Sequence, residues 1–204
     1  MTIDFSKQNK AYVKGFKRWA DGSYTKGKNS VEAYLDMETE EKWRVTDHYL
    51  SEIKKLSQNP SLKIHEIGCG PGAHLRYIHK KNPEYILSGN DVWPDAIQSI
   101  KNDCDFIEIY RKQTRDFIDH CIDNKIKFDV LISGAHIIHL ENDDINYLSE
   151  LSKICKACIL CENISNLDNL FKKGCNVKKF SSPLPIKWWG DYEHTFVIQF
   201  EDLD

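Results

Sequence analysis

From Leu62 onward the chain alternates between short apolar runs and longer stretches whose apolar residues recur at helical spacing. The alternation predicts strands over 63–67, 86–90, 106–110, 128–133, 157–162, 176–180 and 194–200, with helices over 71–81, 93–102, 113–124, 142–153 and 166–173. Short strands separated by helix-length connections specify a parallel sheet with crossover helices, an α/β fold. The last two strands differ from the rest. They are joined only by Ser181-Ser182-Pro183-Leu184-Pro185 and an aromatic segment, too little chain for a crossover helix, so they should pair as an antiparallel hairpin.

Residues 1–60 carry no clear strand pattern. Loop signals at Ala20-Asp21-Gly22-Ser23 and Lys26-Gly27-Lys28-Asn29-Ser30 separate helical patterns at Lys7 to Trp19, from about Val31, and from Thr39 to Leu56. In the last of these Trp43, Thr46, Tyr49, Leu50, Ile53 and Leu56 share one helical face, and Asn59-Pro60 ends it. The expected organisation is an N-terminal helical extension over 1–60, able to act as a lid, followed by one α/β domain over 61–204.

Composition narrows the function classes. A chain of 204 residues suits one domain with such an extension and leaves no room for a second, substrate-holding domain. A net charge of −3 offers no basic field for nucleic acid, and local pairs such as Lys178-Lys179 read as solvated faces. No apolar run approaches the roughly 20 residues that span a bilayer, and no secretory leader pattern is present, so a cytoplasmic protein is expected. The seven cysteines, an odd number scattered along the chain, then read as small, reduced, buried hydrophobes. Cys155, Cys158 and Cys161 share a spacing with iron–sulfur sites. On an extended strand, however, residues three apart face opposite sides, and no Gly or Pro supplies a turn, so no metal is expected.

The chemistry concentrates in Ile64-His65-Glu66-Ile67-Gly68-Cys69-Gly70-Pro71-Gly72, where an apolar strand carries an acid into a turn with three glycines. Such a turn lets a ligand approach bare backbone at the start of a helix. Two cofactor classes fit it. Gly68, Gly70 and Ala73, with Asp91 about twenty residues on, satisfy the dinucleotide fingerprint G-x-G-x-x-G/A. Glu66 and Gly72 add E-x-G-x-G-x-G, which resembles the first motif of the class I S-adenosylmethionine methyltransferases. The resemblance covers about residues 60–200, because a mostly parallel sheet closing on a hairpin is similar to the Rossmann-like seven-stranded sheet of that superfamily.

The resemblance implies roles for individual residues. The loop of Glu66, Gly68, Cys69, Gly70 and Gly72 would pass beneath the methionine part of S-adenosyl-L-methionine, with Glu66 ordering the loop and the cofactor's amino end. Asp91 would hold the ribose hydroxyls, and Val92 and Trp93 would flank the adenine. After the third strand, where the family often places an acid or amide against the adenine amino group, the sequence departs from the pattern, and Gln113 or Asp116 stands nearest. Ser133 and Gly134 follow the fourth strand, which faces both cofactor and acceptor.

His136 and His139 lie three apart in the turn after that strand, and a histidine there could take the proton of a hydroxyl acceptor. Both also suit a role in capping or packing the turn. Trp188, Trp189, Tyr192 and His194 occupy the segment that often shapes the family's acceptor pocket, and Trp19 and Tyr24 could close over the site from the extension. These aromatics suit core packing equally well.

The expectation is therefore an S-adenosyl-L-methionine-dependent methyltransferase acting on a small molecule and releasing S-adenosyl-L-homocysteine, with oxygen favoured over nitrogen as acceptor because of His136. Within the superfamily the layout resembles small single-domain methylases of bacterial surface-sugar pathways, such as pseudaminic acid biosynthesis. A non-catalytic cofactor-binding protein and an NAD-dependent oxidoreductase are the competing readings, with RNA methylation disfavoured by charge. The sequence leaves the oligomeric state open.

Overall fold

The computed structural model describes residues 31, 35, 40–162, 167–181, 186–188 and 191–203. Helix α1 (Glu40–Leu56) precedes the sheet, and strand and helix then alternate: β1 (Lys63–Ile67), α2 (Ala73–Lys81), β2 (Ile86–Asp91), α3 (Pro94–Asp103), β3 (Ile107–Arg111), α4 (Thr114–Asp123) and β4 (Phe128–Gly134). A short 3₁₀ turn (Ile137–His139) leads to α5 (Asn142–Tyr147), a second 3₁₀ segment (Leu148–Lys153), β5 (Cys155–Glu162), α6 (Leu167–Gly174), β6 (Lys179–Ser181), β7 (Ile186–Trp188) and β8 (Asp191–Gln199).

The strands lie in the order β3-β2-β1-β4-β5-β8-β6, with β7 attached to β8 outside that row. β1 to β5 are parallel to one another, and β8 runs antiparallel to both β5 and β6. The antiparallel C-terminal pair is thus present, but the strand count differs from the expected seven. The extra element is β7, whose Trp188 pairs with Asp191 across a two-residue connection. Trp189-Gly190 is short enough for a hairpin turn, a signal obscured in the sequence by the aromatic run around it.

Both faces of the sheet are covered. Val45, Tyr49, Leu50 and Ile53 of α1, Leu75 and Ile78 of α2 and Ile100 of α3 pack on one side against Ile64, Val130, Ile132 and Ile159. Phe117, Ile118 and Cys121 of α4, Ile145 of α5 and Leu170 and Phe171 of α6 pack on the other against Ile67, Leu131 and Leu160. Strands buried on both faces are largely apolar, which explains the runs in the sequence, and the polar residues they do bury, such as His65, Ser88 and Asn90, are hydrogen-bonded to one another.

The predicted helix over 142–153 ends as an α-helix at Tyr147 and continues as 3₁₀. Serine hydroxyls bonding back to the preceding turn, Ser149 to the Asn146 carbonyl and Ser152 to that of Ser149, accompany this tightening. β5 starts at Cys155, two residues earlier than expected. The Cys155 and Cys158 sulfurs lie 3.3 Å apart in one core layer, so the premise that residues three apart on this strand must diverge fails for that pair. Cys161 packs in the opposite layer, and the three thiols do not converge.

His65 stands on β1 in the centre of the sheet. Its ring stacks on Phe117 at 4.1 Å, nearly coplanar, and bonds the Ser88 hydroxyl (2.8 Å) and the Asn90 side-chain oxygen (3.0 Å). Because the Asn90 amide nitrogen donates to the Lys112 carbonyl, its oxygen must accept from His65, which requires a proton on Nε2. Burial pushes the imidazole down to about 3, in agreement with a neutral ring. The network ties β1 to the chain leaving β3.

Candidate functional site

Strand order turns back between β1 and β4, and ligands of open α/β sheets sit beyond the carboxyl ends of the strands at such a point. The three-glycine turn leaves β1 there. Gly68, Gly70 and Gly72 all take positive φ, of 66°, 52° and 77°, a conformation that L-residues with a Cβ rarely adopt. The turn is tied to β2, because the Gly68 and Cys69 amides both donate to the Asn90 carbonyl at 2.9 and 3.1 Å. Gly72 then caps α2, whose first turn contains no acidic side chain.

Asp91 fastens the turn from the end of β2. Its Oδ2 accepts from the Gly70 amide at 2.7 Å, and its Oδ1 from the Val92 and Trp93 amides at 2.7 and 2.9 Å. A carboxylate has about four acceptor directions, so one remains on Oδ2. Burial raises the Asp91 carboxyl above its ordinary value, opposed by these three amides and by the nearby His139. Glu66 is buried at the end of β1, and the Cys69 thiol, buried near Asp91 and Glu66, is pushed well above the usual thiol range.

A cavity of about 320 Å³ opens beside Asp91. Asn90, Asp91 and Val92 line it from β2, Lys112, Gln113 and Thr114 from the end of β3, and His136, His139, Leu140, Glu141 and Asp144 from the chain after β4. Gln113 thus reaches the cavity, whereas Asp116 in the first turn of α4 is not part of the wall. Val92 is 40% exposed, while Trp93 is 5% exposed and packs with Ala96 against Val31 and Leu35 of the N-terminal extension. The expected Val92–Trp93 pair therefore divides, one side chain facing the cavity and the other the extension.

Neither Ser133 nor Gly134 lines the cavity. The Ser133 hydroxyl donates to Glu162 at 2.7 Å and its carbonyl accepts from the Tyr49 hydroxyl at 2.8 Å. Tyr49 belongs to α1, which also meets the start of α2 through Thr46 and His74 at 2.6 Å. Helix α1 is thereby tied both to the end of β4 and to the start of α2.

His136 is half-buried, with Nε2 2.9 Å from the Thr114 hydroxyl and its ring against Gly68. A Cβ on Gly68 would come within 2.0 Å of the His136 ring, so that glycine is required by contact as well as by φ. Burial pushes His136 down to about 4. Its ring is neutral near pH 7 and would hold an abstracted proton only weakly, unlike the near-neutral base the sequence suggested. His139 lines the same cavity, near enough to Asp91 to favour its charged form.

Trp19, Tyr24 and Trp189 lie outside the described residues, and of Trp188, Tyr192 and His194 only the backbone is described, on β7 and β8. Two residues were missed in the sequence, Glu162 at the end of β5 and Thr114 bonded to His136, while Ala135, among the residues expected at the site after β4, has a φ of 50° in the left-handed region. An acid closing the apolar run Ile159-Leu160-Cys161-Glu162 was the available signal for the first.

No protein-family model and no curated protein matches the sequence. Solved structures do match in fold. The plantazolicin methyltransferase BpumL in complex with SAH superposes with a TM-score of 0.62 at 14% identity, covering 93% of this chain and 98% of its own. Magnesium protoporphyrin IX methyltransferase from Synechocystis PCC 6803, with bound SAM, gives a TM-score of 0.59 at 11% identity over 78% of this chain and 80% of its own. Human methyltransferase-like protein 13 with SAH gives 0.59 at 13% identity over 76% and 82%. The fold is that of these methyltransferases. At such identities the likeness speaks for architecture, so the cofactor must be argued from the donors and acceptors present. Those fit a nucleoside: Asp91 offers an acceptor to a hydroxyl, Gln113 an amide to a base edge, and Val92 an apolar surface, around a cavity near the lower end of the ~300–1,000 Å³ range of small-molecule sites.

Proposed function

We propose that the chain is an S-adenosyl-L-methionine-dependent methyltransferase acting on a small molecule, with a sugar-like hydroxyl as acceptor. The observation that carries this reading is the Gly70–Asp91 bond at the switch point, which joins the glycine turn to the acid beside the cavity. The cofactor supplies an electrophilic methyl on a sulfonium. Asp91 would bind the ribose through its remaining acceptor direction, Gln113 would meet the adenine amino group, Val92 would cover the ring, and the turn from Gly68 to Gly72, which does not line the cavity itself, would pass under the methionine part. Glu66 orders that turn.

In-line displacement from a sulfonium asks mainly for alignment and exclusion of water. His139, on the cavity wall, would take the proton that a hydroxyl acceptor gives up as it is methylated. His136, neutral and bonded to Thr114, holds the wall in place instead. Trp188, Trp189, Tyr192 and His194 would shape the acceptor side, with Trp19 and Tyr24 closing it from the extension.

Transfer to the nitrogen of a small amine is a second reading, favoured by Glu141 and Asp144 on the cavity wall, which would attract a cation. Calorimetry with S-adenosylhomocysteine tests the common part. Gly70→Arg and Asp91→Ala should each weaken binding at least tenfold, with folding checked by thermal melting; binding that both variants leave intact would refute the site. An NADH-induced thermal shift, without one from S-adenosylmethionine, would replace methyl transfer with hydride transfer. A methyl-release assay on sugar, amine and phenol pools separates the acceptors, and binding without turnover on any pool would favour a non-catalytic protein.

A further inference from the structure

The turn that carries His136 and His139 leaves β4 in a conformation the local sequence does not favour. Ala135 has a φ of 50° and is held by donating to the Cys161 carbonyl at 3.0 Å. The next two amides have no partner within their own short 3₁₀ turn. Instead, the His136 amide donates to Oε1 of Glu162 at 3.1 Å and the Ile137 amide donates to Oε2 at 3.1 Å. The Ser133 hydroxyl, before the turn, donates to Oε1 at 2.7 Å.

Glu162 is fully buried at the end of β5 and does not line the cavity. It gathers donors from both sides of Ala135 onto one carboxylate. We infer that Glu162 is a positioning residue whose carboxylate fixes the turn after β4, and through it the His136 ring on Gly68 and the His139 side of the cavity wall. A carboxylate is the side chain suited to this task, because it offers acceptors on both oxygens and no donor. An amide of the same shape would turn a donor toward the Ile137 amide or toward the other pair, leaving two donors facing each other in a dry site. Burial pushes the Glu162 carboxyl up to about 7, against the bonds from Ser133, Ile137, His136 and Ile138. The chain thus keeps an acid where desolvation opposes its charged form, as expected where its bonds maintain a strained geometry.

The inference rests on the proposed site, but its test does not depend on that proposal alone. Glu162→Gln preserves shape and removes the double acceptor, while Glu162→Asp keeps the carboxylate on a shorter arm. Two measurements are made on each: the Gly68 Hα chemical shift, which senses the His136 ring current, and S-adenosylhomocysteine affinity by calorimetry. For Glu162→Gln the Gly68 resonance should move and affinity should fall roughly tenfold, the size of one or two lost buried bonds, with partial recovery of both in Glu162→Asp. A folded Glu162→Gln protein with an unmoved Gly68 resonance would overturn the inference, whatever its melting temperature. So would a moved resonance with affinity unchanged to within about twofold. If the wild type binds no S-adenosylhomocysteine, the proposed function falls, and the Gly68 resonance alone decides whether Glu162 positions the turn. Should Glu162→Gln fail to fold, the same two readings on Glu162→Asp and on Ser133→Ala, which removes one of the four donors, decide it, with smaller shifts in the same direction expected.

Discussion

The Gly70 amide lies 2.7 Å from Oδ2 of Asp91, so the glycine turn after β1 and the acid ending β2 form one unit. Asp91→Asn keeps the size of that side chain but sets its amide against either the Gly70 amide or those of Val92 and Trp93. A buried donor left unsatisfied costs about 1–3 kcal/mol, so the variant should lose stability by that order. Its affinity for S-adenosylhomocysteine should fall by more than tenfold. Paired denaturation and calorimetry check both, and an Asn variant with full affinity would remove Asp91 from the ribose site.

Gly68 and His136 should behave as a coupled pair. A methyl on Gly68 meets the His136 ring at 2.0 Å and also forces an L-residue to a φ of 66°. Gly68→Ala alone should cost stability through both effects, whereas the same change made in a His136→Ala background should add only the backbone part, about 1 kcal/mol. A double-mutant cycle should then show a coupling of about 0.5–3 kcal/mol, and strict additivity would mean that the ring does not occupy that space.

His65 predicts part of the pH dependence. Its folded value, near 3, lies below the ordinary 6.5, so between these limits the unfolded chain binds the proton more readily. Stability contributed by the neutral ring is complete above pH 6.5 and is lost as pH falls toward 3. Over that range one such group gives a slope of up to about 1.36 kcal/mol per pH unit. His65→Leu should be less stable at pH 7, since Ser88 and Asn90 lose their partner, and should show a shallower decline on acidification. Urea titrations from pH 7 to 4 measure this, and parallel declines would show that His65 does not carry the effect.

Gln113 is the acceptor-and-donor side chain nearest the position expected to read the adenine. Gln113→Ala should weaken S-adenosylhomocysteine by a few-fold to tenfold, in line with a neutral hydrogen bond of about 0.5–1.5 kcal/mol. An analogue lacking the adenine amino group should bind wild type and variant alike. A variant that discriminates as the wild type does would assign the contact elsewhere.

The elements most legible in the sequence were those whose signal is local. The strand from Lys63 to Ile67, its glycine turn and the helix from Ala73 were readable because apolar periodicity and Cβ-free turn residues act within a few positions. The acid at Asp91 was readable for the same reason, at the end of a short apolar run. β7 was not, because three residues within an aromatic segment carry no alternation long enough to mark a strand, and its pairing with β8 is set by folding. The 3₁₀ character of Leu148–Lys153 was likewise hidden, since serine side chains bonding to the backbone do not disturb the apolar pattern.

What the sequence determined by itself was the alternation of strand and helix and the glycine turn with its two acids, since periodicity and backbone freedom are properties of neighbouring residues. Only the tertiary structure decided which side chains meet. It separated Val92 from Trp93, brought Gln113 rather than Asp116 to the cavity, and buried His136 enough to lower its basicity. It also placed Glu162, twenty-six residues along the chain from His136, under the turn that carries that histidine. Burial and long-range hydrogen bonding arise from strands made adjacent by folding, and no local pattern encodes them.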